Sequence, residues 1–166
     1  MERMWAPWRM EYILNDKPTG CIFCLSPDPE FDRERLLLYR SRLSLVMLNR
    51  YPYTNGHLLI APNRHIADLE KLTDVEMLDL FRTLRLCKRI LRETAGPDGF
   101  NVGINLGRSA GAGVDDHIHL HIVPRWGGDT NFMTVIPDVR VMPENLAVTF
   151  DRLLPEFQAA AHRTAP

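Results

Sequence analysis

Between residues 117 and 124 the chain reads His117-Ile118-His119-Leu120-His121-Ile122-Val123-Pro124, with three histidines at every second position of an otherwise apolar run. Successive side chains of a strand point to opposite faces. This spacing therefore predicts a strand that lines one face with imidazoles and anchors the other in a core through Ile118, Leu120 and Ile122. A single histidine on a strand is usually a hydrogen-bonded core or surface residue. Half of the chain's six histidines within five positions point to chemistry instead.

The remaining composition limits what that chemistry can act on. At 166 residues, 45% hydrophobic and 25% charged, the chain suits one soluble globular domain with a real core. A formal charge of -1 gives no global basic field for long nucleic acids, so ligands should be small, with a local anion pocket still allowed. No apolar stretch approaches the roughly 18 residues that span a bilayer, and no basic segment leads into an apolar signal core, so a soluble cytoplasmic protein is expected. Three cysteines, Cys21, Cys24 and Cys87, are too few and odd in number for a disulfide framework and fit a reducing compartment. Cys87 reads as helix packing.

Along the chain, residues 1–20 have aromatic weight without period and read as an arm. A tight turn over 20–24 and a Pro- and Asp-rich loop follow. Short strands are expected over 36–39, 44–48 and 57–61, with turn signals between them that imply antiparallel neighbours. From Thr73 the period changes, and Met77, Leu80, Phe81, Leu84, Cys87 and Leu91 form the stripe of an amphipathic helix. Thr73 with Glu76 is a capping-box signature, and Gly96-Pro97 supplies the stop. A strand over 100–106, a glycine-rich loop over 107–113 and the histidine strand over 117–123 come next. A further extended piece is expected around 133–135 or 139–142. Leu146, Phe150, Leu153 and Phe157 predict a terminal helix that Pro155 should kink or end. The pattern is α+β: one domain over 1–166, an antiparallel meander with a long helix packed on one side and a C-terminal helix, divided into the arm, a motif-bearing core over 21–125 and an extension over 126–166.

Around the histidine strand lie Asn105-Leu106-Gly107-Arg108-Ser109-Ala110-Gly111-Ala112-Gly113-Val114 and, upstream, Asn49 with Gly56-His57-Leu58-Leu59-Ile60-Ala61-Pro62. Together these segments, from about Cys21 to Arg125, resemble the histidine triad (HIT) family, in particular its bacterial dinucleoside-polyphosphate phosphorylase and hydrolase branch. The resemblance implies that His119 attacks the α-phosphorus of a nucleotide and holds the nucleotide covalently. A neutral imidazole suits that role, since it offers one lone pair while its other nitrogen donates to a fixed acceptor. The resemblance also places His121 and His57 beside the phosphate as donors, Asn105 near the phosphate and Asn49 near the ribose. Without it, His57 at a strand start would read as a surface residue. Gly111, Ala112 and Gly113 can present backbone N–H groups to an anion, or can form a plain turn between two strands.

Two departures from the family pattern stand out. Ala112-Gly113 occupies positions where many members carry Gln-Ser or Gln-Thr, which removes a hydroxyl donor. One extra residue, Asp115 or Asp116, precedes the first histidine. Both bring the chain closer to the uridylyltransferase and dinucleoside-polyphosphate phosphorylase branches than to the small phosphoramidases.

Cys21-Ile22-Phe23-Cys24 has the ligand spacing of a zinc site. His65 and His117 are candidates to complete it, and several bacterial members of the resembled family hold structural zinc at the matching positions. A redox pair and two free thiols are the rival readings of the cysteines. The expected function is cleavage of a dinucleoside polyphosphate, such as diadenosine tetraphosphate, through a nucleotidyl-His119 intermediate released by phosphate or water, with no catalytic cofactor. Alternatives are a nucleoside phosphoramidase, a hydrolase with a catalytic metal on His117 and His119 or His121, and a non-catalytic purine-nucleotide-binding module. A homodimer, or a dimer of dimers, is expected from the resemblance, with Trp5, Trp8 and the long helix as surfaces. Trp126 could lie near the distal end of the substrate or simply pack.

Overall fold

In the computed structural model, residues 20–24, 32–129, 142 and 144–164 are described. The expected arm over 1–20, Gly20 apart, and the extended piece expected around 133–142, Met142 apart, lie outside them. Five strands, β1 (Leu37–Arg40), β2 (Ser44–Leu48), β3 (Leu58–Pro62), β4 (Gly99–Ile104) and β5 (Leu120–Arg125), form one antiparallel sheet in the order β1-β2-β3-β5-β4. Helix α1 (Asp74–Ala95) links β3 to β4, and α2 (Leu146–Thr164) follows β5.

Strand alternation divides the sheet into two different faces. Leu38, Val46, Leu48, Leu58, Ile60, Ile118, Leu120 and Ile122 meet Leu80, Cys87, Ile90 and Leu91 of α1 and Phe150, Leu153, Phe157 and Ala160 of α2 in one core. The alternate residues Leu37, Leu45, Met47, Leu59 and Ala61 turn the other way and pack with Phe23. His121 stands opposite Leu59 in the β3–β5 ladder, so its imidazole belongs to the face opposite α1 and α2.

Several boundaries differ from the sequence expectation for physical reasons. β1 starts at Leu37 because Leu36 adopts a left-handed φ of 58°, which interrupts strand geometry. β4 ends at Ile104, short of the expected 106. Regular pairing of β5 starts at Leu120 rather than 117, because both of its ladders stop there: β3 pairs with it no further than Ile60↔Leu120, although β3 itself runs on to Pro62 against β2, and β4 ends at Ile104↔Leu120. Residues 117–119 are held otherwise, for instance by Ile118 N donating to Ile66 O at 2.7 Å. The strand also runs on through Pro124, whose carbonyl accepts from Thr54 Oγ1 on the side away from β4, where no ladder donor is needed.

In α1, Phe81 is 61% exposed and Met77 36% exposed, so neither belongs to the core stripe predicted for them. The buried face runs instead through Glu76, Leu80, Thr83, Cys87, Ile90 and Leu91. Pro155 does not end α2, which continues to Thr164. A proline costs about 3 kcal/mol inside a helix, whereas burying Phe150, Leu153 and Phe157 contributes about 1.5–3 kcal/mol each, so packing prevails.

The start of α1 is tied to the loop after β3. Thr73 and Glu76 form the predicted capping box, and the Glu76 carboxylate also receives both Arg64 Nε and Arg64 Nη2 at 2.8 Å. Arg64 further donates to Lys71 O, which folds the segment carrying His65 back onto the helix start. These bonds, first those from Arg64 and then the Thr73 backbone, pull the Glu76 carboxyl from its ordinary 4.5 down to about 2. A depressed carboxyl stabilises the fold fully above its unfolded value, and that contribution is lost as the pH falls from about 4.5 towards 2. Because Arg64 is half exposed, screening keeps the effect modest. Glu76→Gln should lower Tm by a few degrees at pH 7, roughly 2–4 °C, and the gap to wild type should narrow at pH 3. Thermal melts at the two pH values check this; an equal gap at both would contradict it.

Candidate active site and metal centre

Three histidines meet on the face opposite α1 and α2, and hydrogen bonds to groups with only one possible role fix their tautomers. His119 Nδ1 lies 2.8 Å from the carbonyl oxygen of His117. A carbonyl only accepts, so Nδ1 carries the proton and Nε2 carries the lone pair. Burial lowers the pKa of His119, partly offset by this bond, which keeps the ring neutral and nucleophilic.

The second pair is read in the same way from its far end. Tyr53 N donates to His57 Nδ1 at 3.1 Å, and Asn49 Nδ2 approaches the same nitrogen at 3.2 Å. Asn49 is oriented for this by Tyr51 N, which donates to Asn49 Oδ1 at 2.9 Å. His57 Nδ1 is therefore an acceptor, and His57 Nε2 donates to His121 Nδ1 at 2.9 Å. That leaves a proton on His121 Nε2, a buried atom with no hydrogen-bond partner. An orphaned buried donor is costly unless a ligand completes it. Burial, and then the neighbouring His119, hold His121 down to about 4, so this nitrogen donates without the ring being a cation.

His57 is fully buried, not on the surface as its position at a strand start had implied. It precedes β3 in the turn closed by Gly56, whose φ of 75° and contacts of an added Cβ with Leu91 (3.2 Å) and Pro124 (3.4 Å) require glycine. Tyr53, which no sequence pattern singles out, also packs tilted 4.7 Å from His57 and stacks 6.1 Å from His121.

The glycine-rich loop is a short 3-10 turn, Arg108–Ala110, between Gly107 (φ 82°) and Gly111 (φ 86°). Its amides are largely used within it: Gly111 N donates to Arg108 O and Ala112 N to Gly107 O. Of the three residues expected to present N–H groups, only Gly113 keeps one without such a bond, because the turn consumes the others. Asn105 Nδ2 reaches Gly111 O at 3.4 Å, and Arg108 Nε donates to Asp115 across the loop. A cavity of about 390 Å³ lies between Asn105, Gly107 and Asp115 on one side and Ala67 and Asp68 on the other. It touches neither His119 nor His121, so donor geometry rather than cavity shape marks the site. Trp126 packs: its indole Nε1 donates to Ala95 O at the end of α1.

His117 faces a different set of groups. Its Nε2 donates to Pro62 O at 2.9 Å, which leaves the Nδ1 lone pair pointing at Cys21 Sγ (3.2 Å) and Cys24 Sγ (3.8 Å). His65 Nδ1 lies 3.2 Å from Cys24 Sγ, and the four donor atoms lie within 4.8 Å of one another. Two thiols and two imidazoles at this spacing fit a tetrahedral metal ion. Asp116 Oδ2, 3.9 Å from His65 Nε2, stands where a carboxylate orients a metal-binding imidazole. That four-residue group contains neither His119 nor His121, and four protein donors would leave a tetrahedral ion no open position. The reading of the triad as a catalytic metal site therefore finds no support among the described residues.

The profile of the HIT domain matches residues 30–128. AP-4-A phosphorylase of Mycobacterium tuberculosis is 39% identical over 165 residues, spanning 95% of this chain and 85% of its own. The asymmetrical bis(5'-nucleosyl)-tetraphosphatase of Schizosaccharomyces pombe is 36% identical over 93 residues, spanning 56% of this chain and 50% of its own. Among solved structures, a Zn-bound histidine triad family protein from Mycobacterium smegmatis superposes with a TM-score of 0.62 at 28% identity, over 77% of this chain and 87% of that one. The alternating histidines, the sheet that carries them and these similarities agree, and the chain belongs to the HIT family.

Proposed function

We propose that this protein is a nucleotidyl transferase or hydrolase that cleaves dinucleoside polyphosphates at the α-phosphorus through a nucleotide bound to His119. The observation that carries it is the pairing of a free Nε2 lone pair on His119 with an unpartnered Nε2–H on the adjacent His121, the two rings 4.9 Å apart. The Nε2 lone pair forms an N–P bond as the P–O bond to the departing nucleoside polyphosphate breaks, and the bridging oxygen keeps that electron pair. His121 Nε2–H donates to a phosphoryl oxygen as its charge rises. The Nδ1 proton stays on His119, where the His117 carbonyl faces the positive charge that the substituted ring acquires. Inorganic phosphate or water then attacks phosphorus, the N–P bond breaks, and the neutral imidazole returns. With diadenosine tetraphosphate the first step releases ATP, and the second gives ADP with phosphate or AMP with water.

His57 acts through His121, held by Tyr53 and Asn49. Asn49 keeps one Nδ2 proton for a ribose, and Asn105 with the Gly113 N–H borders the phosphates. The 39% identity to a protein named AP-4-A phosphorylase favours phosphate over water as the second nucleophile, and over the phosphoramidase reading. Cys21, Cys24, His65 and His117 would hold one structural zinc, which would cross-link the N-terminal segment, the loop after β3 and the start of the histidine run. A homodimer is supported by the open edge of β4 and by exposed Val102, Leu106, Leu78 and Phe81. The three free thiols suit a reducing compartment such as the cytoplasm, and no helix among the described residues is long and apolar enough to cross a membrane.

His119→Asn should reduce turnover of diadenosine tetraphosphate by at least about a thousandfold while leaving the circular dichroism spectrum unchanged; retained activity refutes the nucleophile. With wild type, ADP should form only when phosphate is present, and AMP in its place in all conditions would assign a hydrolase. Histidine ¹⁵N NMR should show His121 as the neutral Nε2–H tautomer at pH 6, and a cationic ring at that pH would break the relay. Protein purified without chelator should carry about one zinc per chain, and removing it should lower Tm by several degrees. Less than about half an equivalent, or no change in Tm, would count against the metal site.

A further inference from the structure

Phe23 sits between the two cysteines of the metal-binding turn and is 1% exposed. Its neighbour Ile22 turns outward at 37%, so the turn, closed by Cys24 N donating to Cys21 O at 3.1 Å, presents one aromatic ring to the sheet. That ring lies 4.9 Å from the His119 imidazole at an interplanar angle of 34°, and 5.1 Å from His117 at 57°. On its other sides it joins Leu37, Leu45, Met47, Leu59 and Ala61.

Residues 20–24 form no strand ladder, and the side-chain contacts that fasten them to the rest of the described protein are Phe23 itself and the two cysteines on His117 and His65. His119, for its part, is fixed by one hydrogen bond, at Nδ1. A single bond at one ring nitrogen leaves rotation of the imidazole about that contact open, and the direction of the Nε2 lone pair with it. A flat apolar surface packed on the ring closes that freedom.

We infer that Phe23 is a positioning residue for the nucleophile, and that the Cys21, Cys24, His65, His117 cluster is its anchor, so that the order of the His119 ring is linked to the state of a metal site that touches no substrate. This rests on the assignment of His119 as nucleophile. The coupling runs through two short paths. His117 holds the cluster with its ring and His119 with its carbonyl, and the cysteine turn holds the cluster with its thiols and His119 with Phe23. Loss of the anchor releases one of the two walls that aim Nε2. Misaiming a reacting atom by about an ångström can cost about a hundredfold in rate, whereas the groups expected to bind the nucleotide, Asn49, Asn105 and Gly113, are untouched.

Phe23→Leu, which keeps apolar bulk without the flat face, tests this beside wild type. The expected result is an unchanged zinc content, kcat for diadenosine tetraphosphate lower by about 10–100-fold and KM within about threefold. In ¹³C,¹⁵N-histidine NMR, the His119 ring signals should broaden or split. Phe23→Tyr, which restores a flat ring, should recover most of kcat. Stripping zinc from wild type should broaden the same His119 signals without substrate present, and adding zinc back should sharpen them. Unchanged kcat and unchanged His119 signals in Phe23→Leu would overturn the proposal, as would signals indifferent to zinc. If wild type itself fails to cleave the substrate, the functional assignment fails instead, and the NMR arms still decide whether Phe23 and the cluster order the ring.

Discussion

The carbonyl of His117 accepting the Nδ1 proton of His119 at 2.8 Å is the contact on which the proposed chemistry of this protein turns. Were the proton on the other nitrogen, the lone pair would face the backbone and the site would lack a nucleophile. The bond exists because residues 117–119 lie just outside the regular ladders, where pairing with β3 stops and β4 has ended. A carbonyl left without a strand partner is then available to a side chain two residues on. The same departure from regular pairing frees the Pro62 carbonyl for His117 Nε2. Two backbone acceptors, one at the end of β3 and one just before β5, thus set the tautomers of two histidines, and the first of these is turned towards the thiols of Cys21 and Cys24.

A second constraint is the inequality of the two faces of the sheet. α1 and α2 cover one face, and their large apolar side chains give the sheet a rigid support. Among the described residues the opposite face carries a smaller cluster around Phe23, and the imidazoles stand beside it. Polar groups buried there are costly unless partnered. The site meets that cost with a chain running from Tyr53 and Asn49 through His57 to His121, ending at Nε2, which has no partner among the described residues. Pre-ordered donors of this kind act on a charged transition state without reorganising.

Much of this was legible in the residues, because alternation is a local property. The spacing of His117, His119 and His121 predicted both the strand and the face, and Thr73 with Glu76 marked the start of α1. The cysteine spacing predicted a metal site whose four donors the fold brings together. What escaped sequence reasoning depends on where neighbours end. The onset of β5 at Leu120 reflects where its pairing with β3 and β4 stops, and the exposure of Phe81 reflects which helix face meets the sheet. Pro155 sits within a helix because burial of Phe150 and Phe157 outweighs its local cost. The parts played by Tyr53 and Phe23 have no periodic signature at all; the only hint was a large aromatic between two ligand-spaced cysteines. The glycine loop carried a pattern that overstated its readiness, since its own turn uses the amides of Gly111 and Ala112.

The account is tested most directly by the structure of a covalent complex, obtained by freezing the reaction with a slow dinucleoside-polyphosphate analogue. It predicts a nucleotide joined through phosphorus to His119 Nε2, with Nδ1 still bonded to the His117 carbonyl and His121 Nε2 within hydrogen-bond distance of a phosphoryl oxygen. A linkage to Nδ1, or to any other side chain, would contradict it.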